Sequence, residues 1–366
     1  MACMGCARMV ANPATINHTM TAPSRPKPWP APSPTHGRAE TPITFVRAIV
    51  AAYVARGMDP AQALHAAQIE PKLLRKSSAR ITATQMEVVS GAAMQELDDE
   101  GLGWFSRRLP WGSYGMLVRA SLTAPNLGVA LQRWGRHHGL LTQDIDVQVR
   151  VQDGVAQLQL HEAHDLGTYR EFCVVSVLRN ALGVACWLTD SRIPLLRTTL
   201  QFAAPVHRAS YRVLFDGPTE FGAPTHSLQF DAGYLSLPVR RDEAALQRML
   251  QRALLLTVRP YRRDRLLVEK VRHTLAQHPE HSRNAEDLAV WLNLSTRTLH
   301  RQLKEEGASL QQLKDAVRRD LAIDLLHRSQ RPLKQIAQAA GFQNEKSFIR
   351  AFKGWTGQTP DAFRSA

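Results

Sequence analysis

Arg297, Arg301 and Lys304 stand at positions i, i+4 and i+7, and Lys346, Arg350 and Lys353 repeat that spacing 49 residues later. On an α-helix such positions fall on one stripe. Ammonium and guanidinium groups at that pitch pair with phosphates, and a guanidinium fork also bonds the edge of a guanine. Leu299 with Leu303, and Phe348 with Phe352, lie four residues apart on a second face of each segment and supply a core side. A single basic stripe is an ordinary solvated helix face. Two stripes in register, each backed by apolar residues at matched positions, read as one polyanion-binding surface made twice.

The elements that hold these stripes follow from capping residues. Asn284, with Asp287 three residues on, resembles a capping box and opens a helix that ends at Asn293, a residue that tolerates positive φ. Ser295 caps a second helix that ends at Gly307, and Ser309 with Gln312 opens a long helix to about Arg328. Pro332 takes a first helical position, Gly341 ends that helix, Asn344 caps the next as far as Gly357, and Thr359-Pro360 starts a last turn. Leu288-Ala289 then overlays Ile336-Ala337, and Leu292-Asn293-Leu294 overlays Ala340-Gly341-Phe342, with an offset of 48 that becomes 49 after the turn. A small Ala and a residue suited to positive φ let two helices meet closely, so each unit reads as a helix–turn–helix. The outward faces lack aromatics for stacking on unpaired bases, which favours duplex DNA over RNA. The joining helix has 19 residues. At 1.5 Å per residue it spans roughly 28 Å, suited to holding the second helix of each unit about one DNA turn apart.

The rest of the chain sets the frame. Its 366 residues carry a net charge of +14, and the last 106 hold 19 Lys and Arg against 12 Asp and Glu, so +7 lies there. Such a balance points to a polyanionic partner. Residues 1–40, rich in Pro, Ala, Ser and Thr, are expected to be a disordered tail, with Met20 an alternative start. The first twenty residues lack the apolar core of a secretory signal, and no run of about 18 apolar residues is free of charge, so no membrane span is expected. Residues 41–260 read as an α+β domain. A helix runs from Thr41 (N-cap) and Pro42 to Gly57, helices continue to about His138, and a hairpin turns at Asp153-Gly154. A long apolar helix follows from Thr168 to about Leu188, then antiparallel strands near "LLRTTLQFAAP", "THSLQF" and "GYLSLPV". A helix at 242–256 and the charged "TVRPYRRDR" serve as linker, and residues 261–366 are expected to be all-α, two helix–turn–helix units joined by a long helix.

Residues 261–366 resemble the DNA-binding domain of the AraC/XylS family of bacterial transcription regulators, through "LAVWLNLSTRTLHRQLKEEG" and "PLKQIAQAAGFQNEKSFIRAFKGWTGQTPDAFR". The resemblance implies two recognition helices in successive major grooves on one face of DNA. The family's base- and phosphate-contacting positions map onto Thr296, Arg297, His300 and Arg301, and onto Glu345, Lys346, Ser347 and Arg350. Lys304 and Lys353 extend the two basic stripes. One departure is that small Thr296 and Thr298 flank Arg297, which leaves Arg297, His300 and Arg301 to do most of the reading. The segment "LPWGSYGMLVRASLTAPNLGVALQRWGRHHGLL", with the hairpin and helix after it, is similar to the arabinose-binding-like N-terminal domain of one branch of the family. That likeness implies an effector-sensing, dimerising domain. The resemblance implies action more often as activator, with RNA polymerase as a further partner, and the few scattered cysteines (Cys3, Cys6, Cys173, Cys186) fit a reducing cytoplasm.

Other residues invite chemistry. His161, Glu162, His164 and Asp165 have H-E-x-H spacing at a strand end, which fails the two-histidine zinc pattern on a helix and leaves a polar rim or a plain loop. No metal or cofactor is expected. His137-His138 closes a helix, where a cationic imidazole suits the dipole. Trp104, Trp111, Tyr114 and Trp134 are suited to a core or to the wall of an apolar pocket. His164, Arg170 and Arg179 are candidates for holding a carboxylate of an effector, with ordinary ion pairing as the alternative. Two other functions compete with that of regulator. A methyl-accepting DNA-repair enzyme needs an activated thiol beside a histidine, and Cys173 and Cys186 lie in an apolar helix without one. A nonspecific architectural binder needs no folded sensor of some two hundred residues.

Overall fold

The computed structural model describes residues 33–35, 37–251, 254, 264–278 and 284–364. The first 32 residues of the expected tail, its residue 36, and residues 252, 253 and 255–263 of the expected linker lie outside them. The end of that tail is ordered: strand β1 (Ala39–Pro42) pairs antiparallel with β2 (Arg80–Thr82), Thr41 opposite Ile81. Thr41 is thus a strand residue and not a helix cap. The residue before a proline avoids the helical region, and Pro42 itself is extended, with ψ 139°. Helix α1 begins one residue later (Ile43–Ala55).

Helices α2 (Ala61–Ala66), α3 (Ala83–Glu96), α4 (Ser113–Ser121) and α5 (Leu127–Leu141) follow. A reciprocal box starts α3: Gln85 N donates to Thr82 Oγ1 and Thr82 N donates to Gln85 Oε1, each at 3.0 Å. Helix α5 lies so close to the first hairpin strand that a Cβ on Gly135 would stand 2.2 Å from the Val147 carbonyl oxygen, which only glycine avoids. The hairpin joins β3 (Ile145–Gln152) to β4 (Val155–Glu162) through Asp153 and Gly154 at φ 51° and 75°, the left-handed pair a tight two-residue turn needs.

Strands β5 (Arg197–Leu200), β6 (Thr219–Phe221) and β7 (His226–Asp231) complete a sheet of order β3-β4-β7-β5-β6, with a short helix α7 (Tyr211–Leu214) between β5 and β6. Two expectations are corrected here. The β5–β6 pair is parallel, and the three residues of β6 are too few to show alternation. The stretch "GYLSLPV" is not a strand: Gly233 N donates to Asp231 Oδ1 at 2.7 Å, and this local turn opens a 3-10 helix over Ala232–Ser236.

Helix α6 (Arg170–Thr189) is the central strut. Gly167–Thr189 is long and apolar enough to cross a membrane by length and composition, yet most of it is buried inside the fold, including Cys173, Val174, Val177, Leu178 and Ala181. Helix α8 (Glu243–Leu250) begins at Asp242, which accepts from Ala245 N at 2.7 Å, and the expected end at Leu256 lies outside the described residues.

Every described element beyond residue 264 is helical: α9 (Leu266–Gln277), α10 (Ala285–Trp291), α11 (Thr296–Glu305), α12 (Leu310–Arg328), α13 (Leu333–Ala339), α14 (Glu345–Thr356) and α15 (Pro360–Arg364). They build two small cores. One gathers Val271, Leu288, Leu299, Leu303 and Leu313, and the other Leu326, Ile336, Ala337, Phe348 and Phe352.

Candidate nucleic-acid interface and effector cavity

In each helical unit the expected caps hold the geometry. Asn284 accepts from Asp287 N at 2.7 Å, Ser295 from Thr298 N at 3.2 Å, and Asn344 from Ser347 N at 2.8 Å. Ser309 and Gln312 bond reciprocally and start the 19-residue α12. Pro332 differs from expectation: with ψ 144° it is the extended residue before α13, and Leu333 is first in the helix. The turns are made by Asn293 at φ 55° and Gly341 at φ 76°.

Leu299 and Leu303, and Phe348 and Phe352, are fully buried on the inner faces of α11 and α14. Arg297, His300, Arg301, Lys304, Lys346, Arg350 and Lys353 are all exposed on those two helices, whereas Thr296, Glu345 and Ser347 are half-buried. Arg301 has a carboxylate at hand, Glu305 at 4.0 Å one turn on.

The sensor part holds a cavity of about 740 Å³. Phe172, Val175, Ser176, Arg179, Asn180 and Val184 of α6 line it, one stripe at helical spacing. Trp104, Trp111 and Tyr114 also line it, while Trp134 is fully buried and packs on His138. Burial pulls the Arg179 guanidinium down to about 10, which still leaves it charged at neutral pH. Glu100 in the wall accepts from Gly112 N at 2.8 Å and Tyr114 N at 2.7 Å, and burial raises its pKa. Of the three effector candidates, only Arg179 reaches this cavity. Arg170 bonds Glu162 at 2.8 Å, and Glu162 also takes His226 at 2.6 Å; His164 is exposed, 4.0 Å from Asp144.

Residues 57–239 match the family described as the arabinose-binding domain of AraC transcription regulators, and residues 288–366 match a helix-turn-helix domain. The chain belongs to the AraC family of transcription regulators. It is 28% identical over 329 residues to the ornithine utilization regulator of Pseudomonas aeruginosa, covering 89% of this chain and 96% of that protein. It is 26% identical over 186 residues to the urease operon transcriptional activator of Escherichia coli, covering 46% of this chain and 60% of that one. The crystal structure of the transcriptional regulator CdpR from Pseudomonas aeruginosa aligns over 88% of this chain and 98% of its own at 20% identity, with a TM-score of 0.31.

In this AraC-family chain, α6 also reaches the DNA-binding helices. Asp190, at φ 53° beyond its C-terminus, gives one carboxylate oxygen to Arg241 at 2.6 Å and the other to Arg265 at 2.7 Å. Arg265 N donates to Ser191 Oγ at 2.9 Å, and Tyr234 donates its hydroxyl to Asp264 at 2.6 Å. Helix α9 starts at Leu266, and the buried Glu306 after α11 accepts from Val268 N at 2.8 Å. A chain of contacts therefore links the cavity wall to the end of α11.

One expectation about chemistry changes. His138 is fully buried within α5, hydrogen-bonded to Tyr114 at 3.2 Å, and burial lowers its pKa to about 4, so it is a neutral core residue and no dipole-capping cation. Burial pushes the Cys186 thiol up to about 12 and Cys173 also upward, which opposes the thiolate a methyl acceptor needs. Sequence reasoning missed Glu40, Glu87, Ser90, Glu100 and Asn180 in the cavity wall. They come from distant segments, and no local spacing joins them.

Proposed function

We propose that this regulator is a non-enzymatic, effector-controlled activator that acts as a cytoplasmic homodimer, reads duplex DNA with α11 and α14, and engages RNA polymerase. The observation that carries the DNA reading is the pair of exposed basic stripes, Arg297, Arg301 and Lys304 and then Lys346, Arg350 and Lys353, set at the two ends of one 19-residue helix. Thr296, His300, Glu345 and Ser347 complete the proposed contact surface. The division falls near residue 260, with effector sensing and self-association before it and DNA binding after it. The cavity on α6 is the effector site, with Arg179 in its wall. The similarity to the urease operon transcriptional activator favours the activator role.

The test is selection of duplexes from a random pool by the full chain at fixed salt. The expected product carries two preferred blocks about one helical turn, roughly 10 base pairs, apart. A pool that remains random while binding stays tight would mean a nonspecific binder.

A further inference from the structure

We infer that Asp190 and Arg265 are a positioning pair for DNA reading: their contact seats the first turn of α9 and, through it, α11. This rests on the reading of α11 as a DNA-contacting helix. Helix α6 ends where Asp190 takes φ 53°. In the reversal that follows, Asp190 N donates to the Trp187 carbonyl at 3.2 Å and Ser191 N to that of Cys186 at 3.0 Å. Arg265 grips this corner three times. Its Nη2 donates to Asp190 Oδ2 at 2.7 Å, its Nε to the Asp190 carbonyl at 3.0 Å, and its backbone N to Ser191 Oγ at 2.9 Å. Asp190 and Arg265 are both half-buried, and a charge-assisted bond there outweighs one in open water.

On the other side of the same turn, Leu267 N and Val268 N donate to the Glu306 carboxylate at 3.3 and 2.8 Å, and Glu306 directly follows α11. Val268 and Val271 of α9 share a core with Leu299 and Leu303, the inner face of α11. The first turn of α9 is therefore held by the sensor part on one side and by α11 on the other. A helix bound in a groove gives up orientational freedom, and a seat that removes this freedom beforehand strengthens the complex. Tyr234 and Arg240 meet Asp264 and Glu269 beside this pair, from the segment after β7. Lys270 and Asp231, 3.6 Å apart and each 47% exposed, add little.

Charge separates such a seat from simple attraction to DNA. Losing the carboxylate makes the chain more positive and losing the guanidinium makes it less so, so an electrostatic effect on DNA affinity must run in opposite directions. A lost seat weakens binding in both cases. Arg241 supplies a control of matched charge: it bonds the other Asp190 oxygen at 2.6 Å and the Trp187 carbonyl at 2.8 Å, contacts that lie within the sensor part.

The experiment uses the full chain and the duplex it selects from a random pool, with affinity read at fixed salt and melting temperature followed alongside. Asp190→Asn and Arg265→Met are each expected to weaken binding about fivefold or more, the lower end of ordinary coupling between sites. The double variant is expected to bind no more weakly than the weaker single one, since one contact cannot be lost twice. Arg241→Met is expected to stay within about twofold, the effect of one remote, screened charge. Against single-base variants of the duplex, the loss is expected in the half where Arg301→Ala relaxes preference; a general loss of stability would not divide the two halves. Opposite directions for Asp190→Asn and Arg265→Met, additive losses in the double variant, or an equal loss with Arg241→Met each overturn the inference and leave the DNA reading standing. If Asp190→Asn fails to fold, Arg265→Met against Arg241→Met decides. A native chain that binds no duplex overturns the reading of α11, and the inference with it.

Discussion

The two helix–turn–helix units share a plan and differ in what they are fastened to. In the first, leucines make the core and the turn residue is Asn293; in the second, Phe348 and Phe352 make the core and the turn residue is Gly341. The sharpest contrast is at one equivalent position near the C-terminal ends of α11 and α14. In the first unit it is Glu306, a buried carboxylate that accepts from Leu267 and Val268 N at 3.3 and 2.8 Å. In the second it is Trp355, whose indole packs on Phe342 at 5.8 Å between ring centres. Through α9, the first unit is tied to Arg240, Asp231 and Asp190 of the sensor part, while the second closes on its own aromatic cluster with Phe363. Coupling to a sensor needs a polar, breakable connection. Independent reading of a groove needs only a rigid core. On the function proposed above, the duplicated motif divides these two tasks.

The largest expected effect separates the cores. Phe352 is fully buried among Phe348 and Phe363. Phe352→Ala should cost about 3–5 kcal/mol, enough to unfold a unit this small. Hydrogen exchange on the full chain is expected to show protection lost in α14 and retained in α10 and α11. Loss in both units together would mean that the two cores fold as one.

The next effect concerns the DNA faces. Arg301 and Arg350 occupy equivalent exposed positions. Replacing either with Ala should weaken operator binding about tenfold or more, at least ~1.4 kcal/mol. With Arg301→Ala, base preference should relax in one half of the site only, and Arg350→Ala should leave that half unaltered. Affinity against single-base operator variants at fixed salt measures this, since losing a base contact relaxes one position and losing a phosphate contact weakens all sequences alike. Unchanged affinity in either variant would remove that helix from the groove.

How much of this contrast was legible in the residue string differs by region. The caps Ser295, Ser309 and Asn344, the turns at Asn293 and Gly341, and the two apolar pairs were readable because each is a local relation within about four residues. The hairpin at Asp153-Gly154 was readable for the same reason. His138 misled, since its position near a helix end suggests a solvated cation, and only the packing of Tyr114 and Trp134 around it makes it neutral. The cavity was nearly invisible. Arg179 could be suspected as a cation in an apolar helix, but its neighbours Met86, Trp104 and Met249 arrive from three other segments. The same holds for the Asp190 contacts, which join residues about 50 and 75 positions apart.

A smaller effect tests the polar fastening of the first unit. Burial raises Glu306 to about 7, helped by the charge of Asp264. The folded chain therefore holds a proton there that the unfolded chain has lost between its ordinary value, about 4.5, and about 7. Stability from this group is present at the acid end and falls as pH rises through that window, by at most about 1.4 kcal/mol per pH unit. Glu306→Gln should flatten the dependence of melting temperature on pH between those limits. Trp355, at the equivalent position, has no group that titrates in this window, so the stability of α14 should not follow it. An unaltered pH profile in the Gln variant would show that Glu306 does not set it.

The smallest effect compares the turns themselves. Both require left-handed backbone, which costs an L-residue with a Cβ roughly 1 kcal/mol and glycine nothing. At Gly341 a Cβ would meet only the Arg318 side chain, no closer than 3.7 Å, so there is room for it and the cost of Gly341→Ala is backbone strain alone, about 1 kcal/mol. At Asn293 the same conformation is already borne by a side chain that tolerates it. Asn293→Gly should therefore change stability by no more than a few tenths of a kcal/mol, the relief of strain being offset by the greater freedom of the unfolded chain. Chemical denaturation of the full chain, with exchange protection read separately in α10 and α13, measures both. If Gly341→Ala proved as mild as Asn293→Gly, the second turn would not depend on its left-handed residue, and the equivalence of the two turns would fail at the point where their sequences differ most.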